Sequence, residues 1–520
     1  MSAVEAPART AGADRGLGLR PALRAEWVKF RTVRGWLVGL GVAVLLCVLL
    51  TYLVANGIHS GTCTGTGVTC HSGHPTVPTG PNGEAVADSY RYLSRPLTGD
   101  GSLTAQLTSL SGRVSTNPVN VAPSPSATRP GLADWAKAGI LLTPSTAPGS
   151  SYAAVLATGR HGIRFQYDYT HDRPGHGVPA APRWLRLTRH GDTITGYESA
   201  DGVAWHEVGV ARLPGLPGTV RVGLFVTSPV SFHGRTGRPT QATAGFRHVT
   251  VTGETGGAWR SRGIGTGRAD FYPILAAGGA RITGDTAVLT GSGDIAPAVV
   301  QGVLGTNTPA STVLVGLLVG TVVLIVLATL FVTSEYRRGL IRTTLAATPK
   351  RGRVLAAKAI VIGAVGFATG ALAAAVAVPV GDHILTGNGV YVFPAGVGTV
   401  VRVVVGCGLV TALTAVAVLA LGAMLRRGAG AVTAGVVVFV LPYLIGASLP
   451  ATAETWLFRV TPAAAFSVLG VLPRSSLVDY PYTFANGYYP LPPWAGLLVL
   501  AGYAAVALGA ARLVMQRRDA

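Results

Sequence analysis

Six long apolar runs constrain this chain more than any other feature: Trp36–Val54, Thr312–Val332, Ala359–Pro379, Val397–Leu425, Ala431–Leu449 and Trp494–Met515. All but the longer fourth are close to the ~20 residues that a helix needs to cross a hydrocarbon layer ~30 Å thick. In lipid, every backbone N–H and C=O has to be bonded within the segment, which a helix achieves. Charged residues make up only 12% of the chain, against about a quarter in a soluble domain. The sequence therefore reads as a polytopic α-helical membrane protein with six transmembrane helices. The long fourth run tilts or begins in a loop, Arg402 near its outer end snorkels, and Pro442 kinks the fifth run.

The arginines and lysines give the orientation. Arg20 to Arg34 precede the first run, Arg337 to Lys358 join the second and third, and Arg426 and Arg427 join the fourth and fifth. Arg512, Arg517 and Arg518 follow the sixth. With six spans all four groups fall on one side, the cytoplasmic one by the positive-inside rule. Both termini are then cytoplasmic, and the loops around Asp382–Phe393 and Pro450–Pro493 lie outside. The net charge of +20 is explained by these flanks, and no base-reading motif accompanies it, so nucleic acid is not an expected partner. Four lysines against 38 arginines, with abundant Ala, Gly and Val, fit a GC-rich bacterial genome and hence a bacterial plasma membrane.

Ahead of the first run, Leu19, Leu23, Trp27, Phe30 and Val33 recur at spacings of four and three, with Arg20, Arg24 and Arg31 pointing elsewhere. That pattern predicts a helix lying in the membrane interface; a plain basic flank is the alternative. A cleaved signal peptide is rejected, because the preceding region is long and no small-residue cleavage site follows.

Between the first two runs the composition turns to Gly, Ser, Thr and Pro. IRFQYDYT, RWLRLTRH, DTITGYES, WHEVGVARL, TVRVGLFVTS and GFRHVTVTG read as strands, with a turn at Ser199–Gly202. Many short strands with frequent turns predict a large all-β sandwich outside the membrane. The expected partition is a disordered tail (1–18), the interfacial helix (19–35), a first span (36–56), the β-domain (57–310) and a second span (311–333). A cytoplasmic segment (334–353), a third span (354–379), a fourth (397–425) and a fifth (430–449) follow. An outer loop (450–491), a sixth span (492–515) and the C-terminus (516–520) complete the chain.

Cys47 and Cys407 lie inside apolar runs and read as packing residues. Cys63 and Cys70 flank TGTGVT just beyond the first span and read as a disulfide, with a metal pair involving His71 and His74 as the alternative. No G-x-x-x-x-G-K-[ST] occurs, so no P-loop for ATP is present in the sequence. Within the β-domain, Asp168, Asp172, Asp192, Glu198, Asp201 and Glu207 are scattered rather than paired on one strand face, which argues against a glycosidase. The chain is therefore expected not to be an enzyme, and to hold no cofactor and no metal. The spans carry no proton-relay carboxylate, which disfavours a secondary transporter.

Three stretches carry a family resemblance. AEWVKFRTVRGW (Ala25–Trp36), SEYRRGLIRTTLAATPKRGRVLAAKA (Ser334–Ala359) and FRVTPAAAF (Phe458–Phe466) resemble the permeases of the type 2 ABC exporter family, especially actinobacterial members. The resemblance implies a membrane subunit that pairs with a second permease copy or a homologous permease. It also implies a separate cytoplasmic ABC ATPase, which would hold the ATP and Mg²⁺. The loop after span two would form a coupling helix docking on that ATPase, through Glu335, Tyr336, Arg337, Arg338, Ile341, Arg342, Thr343 and Thr344. A basic membrane flank with no partner is the plainer reading of the same loop. The stretch Asp134–Gly253 resembles a concanavalin-like jelly roll, whose relatives often bind glycans. Trp135, Trp184 and Trp205 are the candidate sugar-stacking residues, although burial in the core suits them equally well. The rival reading of the whole chain is a membrane-anchored, lectin-like sensor without transport.

Overall fold

The computed structural model describes residues 19–58, 62–64, 69–71, 78–118, 126–176, 183–234, 236–265, 278–299, 307–308, 314–337, 339–340, 351–446, 448–472, 474–480, 482–484 and 487–517. Among them are six helical stretches long and apolar enough to cross a membrane. A large antiparallel, jelly-roll-like β-sandwich is inserted between the first two. The N-terminal tail 1–18 lies outside the described residues.

The helical part begins with α1 (Leu19–Thr32) and α2 (Arg34–Gly57). After the β-domain come α3 (Gly316–Arg337), α4 (Arg351–Gly387) and α5 (Val397–Leu425). The chain continues through α6 (Gly428–Phe439), α7 (Leu441–Gly446), α8 (Ala451–Val460), a 3₁₀ turn at Pro462–Leu469 and α9 (Pro493–Arg517). The fifth apolar run breaks at Val440, just ahead of Pro442, as expected of a ring that cannot follow a continuous helix. In contrast, α4 runs straight through Pro379 to Gly387. Helix α5 is central, packing against α3, α4, α6 and α9. Small residues allow the close approach: Gly408 lies under Phe367, and Thr411 Oγ1 donates across to the Gly366 carbonyl at 2.8 Å. Such small-residue contacts are what holds helices together where lipid removes the hydrophobic drive. Arg402 is half-buried, and its guanidinium donates to the Gly470 carbonyl at 2.6 Å, which ties α5 to the end of the 3₁₀ turn.

One strand, Tyr90–Ser115, belongs to both sheets of the β-domain. Its first half pairs with Thr219–Thr227, which continues through Lys137–Thr143, Ala153–Thr158, Ile163–Tyr167 and His171–Pro174. Its second half pairs with Arg183–His190, then Thr193–Ser199 and His206–Arg212. The switch falls at Gly99–Gly101, where Gly99 adopts φ +67°, a conformation that side-chain-bearing residues resist. Strand Arg183–His190 alternates as the sequence implies, sending Leu185 and Leu187 into the core between the sheets. Strands Lys137–Thr143 and Ala153–Thr158 are buried at every position instead. Their second face is covered by a cluster including Val86, Tyr90, Tyr92, Tyr152, Tyr169 and Ile295. Val86 and Ile295 come from a short antiparallel pair, Val86–Asp88 with Ile295–Pro297, that joins the two ends of the domain.

The domain also touches the helical part directly. Tyr488 donates its hydroxyl to the Val299 carbonyl, and Phe232 meets Tyr480 edge-on at 5.0 Å.

Candidate functional site

Four charged side chains from three elements meet at the Arg-rich end of the helices. Helix α1 puts Glu26, Lys29 and Phe30 on one face, at i, i+3 and i+4. Glu335 lies in the last turn of α3 and Lys358 in the second turn of α4. Lys358 Nζ donates to Glu26 Oε2 and to Glu335 Oε1, both at 2.7 Å. Lys29 Nζ reaches Glu26 Oε1 at 3.1 Å and Glu335 Oε1 at 3.2 Å. Two ammonium groups therefore balance two carboxylates, and Lys358 is 2% exposed. Burial pulls the Lys29 ammonium towards the neutral form, but the Glu26 and Glu335 carboxylates outweigh it and hold its pKa above the usual lysine value.

Apolar groups close the network from the other side. The Lys358 ammonium stands 4.8 Å from the Phe331 ring centre, and Phe30 and Trp36 meet that ring edge-on at 5.8 and 6.0 Å. Along α1, Phe30 and Glu26 are buried against the protein, while Leu19, Trp27 and Val33 are exposed. Glu335 Oε2 is buried with no hydrogen-bond partner among the described residues.

The next residue, Tyr336, lies half-buried with the Arg426 guanidinium 5.3 Å from its ring centre. Arg426 ends α5 in the left-handed conformation, φ +56°, and its N–H returns to the Gly422 carbonyl at 2.9 Å. Arg337 is exposed. The end of α3 is thus gripped on one side by α1 and α4 and on the other by the α5–α6 corner. Arg338, Ile341, Arg342, Thr343 and Thr344 lie outside the described residues.

The other predicted residues fall elsewhere. Trp135 is buried at 2% exposure, stacked on His161 at 4.1 Å and flanked by Lys137 and Arg164, each 5.7 Å from its ring. Trp184 and Trp205 flank the turn after Ser199. Trp184 stacks on His248 at 5.3 Å, while Arg186 covers the Trp205 ring at 3.9 Å. Trp205 Nε1 also donates to the Gly202 carbonyl at 3.1 Å. Asp201 acts as the turn residue, accepting the N–H groups of Val203 and Ala204; these bonds hold its carboxyl down at about 2. Backbone pairing of Thr62–Thr64 with Thr69–His71 sets Cys63 opposite Cys70, while the side chains of both lie outside the described residues. No group of three or more metal-ligating side chains occurs among the described residues.

Sequence reading missed Glu26 and Lys358 as partners of Glu335. The available signal was that Glu26 is the one acidic residue in the basic stretch 19–35, and that Lys358 directly precedes the apolar run from Ala359, where a charge without a counter-ion is costly.

No protein-family model and no curated protein matches the chain. Among solved structures, the chain is similar to a functionally unknown protein from Saccharomyces cerevisiae, with 16% identity over 39% of this chain and 99% of that one, at a TM-score of 0.21. It is also similar to a peptidase of the eqolisin family solved with a tripeptide: 9% identity, 39% and 98% coverage, TM-score 0.25. A GH43 protein from Bacillus licheniformis shares 16% identity, over 28% of this chain and 26% of that one, with a TM-score of 0.16. At such TM-scores these likenesses carry no conclusion about ligand or activity.

Proposed function

We propose that the chain is the membrane-spanning permease subunit of an ATP-driven exporter of the type 2 ABC family, inserted in a bacterial plasma membrane. In this reading both termini are cytoplasmic and the β-domain is extracellular. A separate ATPase subunit binds the segment after α3, and a second permease copy or a homologue completes the pore. The observation that supports it best is the buried network of Glu26, Lys29, Glu335 and Lys358. It joins the interfacial helix, the second span and the third span at the point where the coupling segment begins. A push on that segment then moves three elements as one body, which is what transmission to the pore requires.

The test is purification of the full chain from native membranes. A P-loop ATPase that co-purifies, with ATP hydrolysis that falls at least about tenfold in Glu335→Gln while membrane insertion is kept, supports the reading; that loss corresponds to about 1.4 kcal/mol of coupling. Absence of any such ATPase, together with tight glycan binding by the β-domain, sinks it in favour of the lectin-like sensor.

A further inference from the structure

The segment between α7 and α9 folds inwards, and it carries an arginine that the coupling network does not use. The start of α8 is held by the loop ahead of α9, where Glu454 accepts the Phe484 N–H. Its end lies deep along α9: the Val460 carbonyl accepts the Tyr503 hydroxyl at 2.9 Å. Tyr503 stands nine residues past Trp494, about 14 Å along the helix at ~1.5 Å per residue. The 3₁₀ turn then climbs back, and Ser467 Oγ donates to the Pro493 carbonyl at 3.2 Å, at the head of α9. Ala451–Val460 and Pro462–Leu469 thus form a re-entrant segment.

The two charges of α8 are placed differently. Glu454 is buried, whereas Arg459, next to the deepest point, is exposed, and so are Trp456, Val460 and Tyr503 around it. Among the described residues no hydrogen-bond or ion-pair partner meets the Arg459 guanidinium, which stands 5.9 Å from the centre of the Trp456 ring. Helical side chains lean towards the helix start, here back towards the level of Trp494. The head of Arg459 has climbed about one turn, ~5 Å, less than half of that distance. In the reading proposed above, α9 crosses a lipid layer and Trp494 marks its outer boundary, as aromatic belts do. Arg459 then lies inside the layer, where an unanswered charge is costly. A second copy packed symmetrically on this surface has no carboxylate to offer, because Glu454 is the one acidic residue in α6 to α9 and the 3₁₀ turn. One guanidinium in an apolar rim fits a ligand with an oxyanion head and an apolar body.

We propose that Arg459 holds the phosphate of an anionic phospholipid drawn below the level of its leaflet, with Trp456 and Val460 against its chains. The outer leaflet is locally thinned there, which is one of the ways a layer accommodates an arginine. This site rests on the membrane insertion of the reading above and is independent of the ATPase.

The experiment uses the full chain in nanodiscs of phosphatidylcholine and phosphatidylglycerol, with native mass spectrometry to count retained lipids. Wild type is expected to retain phosphatidylglycerol over phosphatidylcholine, and retention should fall about fivefold in R459Q, the factor for one arginine. The charge-conserving R459K should keep most of it. A second arm places a benzophenone cross-linker at Val460 and, as controls, at Leu498 and Val506 on the exposed face of α9. Irradiation should give a phosphatidylglycerol adduct at position 460 that R459Q loses. Equal phosphatidylglycerol retention in wild type and R459Q overturns the proposal. So does a cross-link from position 460 to a second copy, or no adduct there, since that position then faces protein or water. Lipid adducts at 498 and 506 in those cases leave membrane insertion standing and remove the Arg459 site alone; their absence at all three positions removes insertion itself.

Discussion

Two buried lysines invite comparison, because each ties down one half of the molecule and they do so differently. In the helical part, Lys358 sits between two carboxylates supplied by two other helices, Glu26 and Glu335. In the β-domain, Lys137 is fully buried and answers a single carboxylate, Asp294, at 3.0 Å, while also donating to the Ile295 carbonyl. Lys137 thus fastens the chain where it leaves the sandwich, a local clamp. Lys358 joins three segments far apart in sequence and stands beside the loop proposed to couple to the ATPase. The same chemistry serves as a staple in one place and as a shared pivot in the other. The difference lies in how many independently attached elements the charges come from.

The largest effect is expected where more charge is left alone. Lys358→Met strands two buried carboxylates beside one partly exposed lysine and should cost about 5 kcal/mol, the upper part of the range for breaking a buried pair. Thermal unfolding of the purified chain, with hydrogen exchange over residues 316–387, reads it; protection unchanged there would remove Lys358 from its pivotal role. Lys137→Met strands one carboxylate and should cost about 3 kcal/mol, confined to the β-domain. The comparison sharpens in the compensated variants. Lys137→Met with Asp294→Leu should recover stability and leave every other property alone, since a buried pair exchanged for apolar groups is often neutral. Replacing Glu26, Glu335 and Lys358 together by apolar residues should recover stability but not coupled ATP hydrolysis. Recovery of both would make the network a staple like the other.

Much of the fold was legible because its signals are long. Six apolar runs and a set of alternating strands need no knowledge of what they pack against. The strand Arg183–His190 shows its burial pattern in its own residues, since one face meets solvent. Lys137–Thr143 and Ala153–Thr158 do not, because their second face is covered by segments distant in sequence. The candidate site was half legible for the same reason. Glu335 and Tyr336 stand in a recognisable local pattern, but Lys358 and Glu26 acquire a role only through pairing across 23 and 332 residues. The tyrosines of YPYTFANGYYP likewise gave no sign that Tyr480 and Tyr488 would meet the β-domain.

Asp88 offers the smallest expected effect and the finest test of what the β-domain's covered face costs. It lies on the strand that joins the two ends of the domain, accepts the Gly149 N–H at 2.8 Å, and has no cation as partner, unlike Asp294. Burial pushes its carboxyl up to about 6, against the lowering effect of that hydrogen bond. An unfolded aspartate loses its proton near 3.9. Between these values the folded state binds more protons than the unfolded one, so stability must fall as pH rises from about 4 to about 6, and the loss is complete above that window. Each tenfold difference in proton affinity is worth about 1.36 kcal/mol, so the fall amounts to about 3 kcal/mol at most. Asp88→Asn keeps an acceptor for Gly149 but has no charge to bury, so its β-domain should be more stable than wild type above pH 6 and should lose the dependence between 4 and 6. Hydrogen exchange of residues 137–143 across that range measures both. A wild-type profile that rises with pH through the window would mean that the Asp88 carboxylate is stabilised in the fold, and that the two ends of the domain are held together by a charge after all.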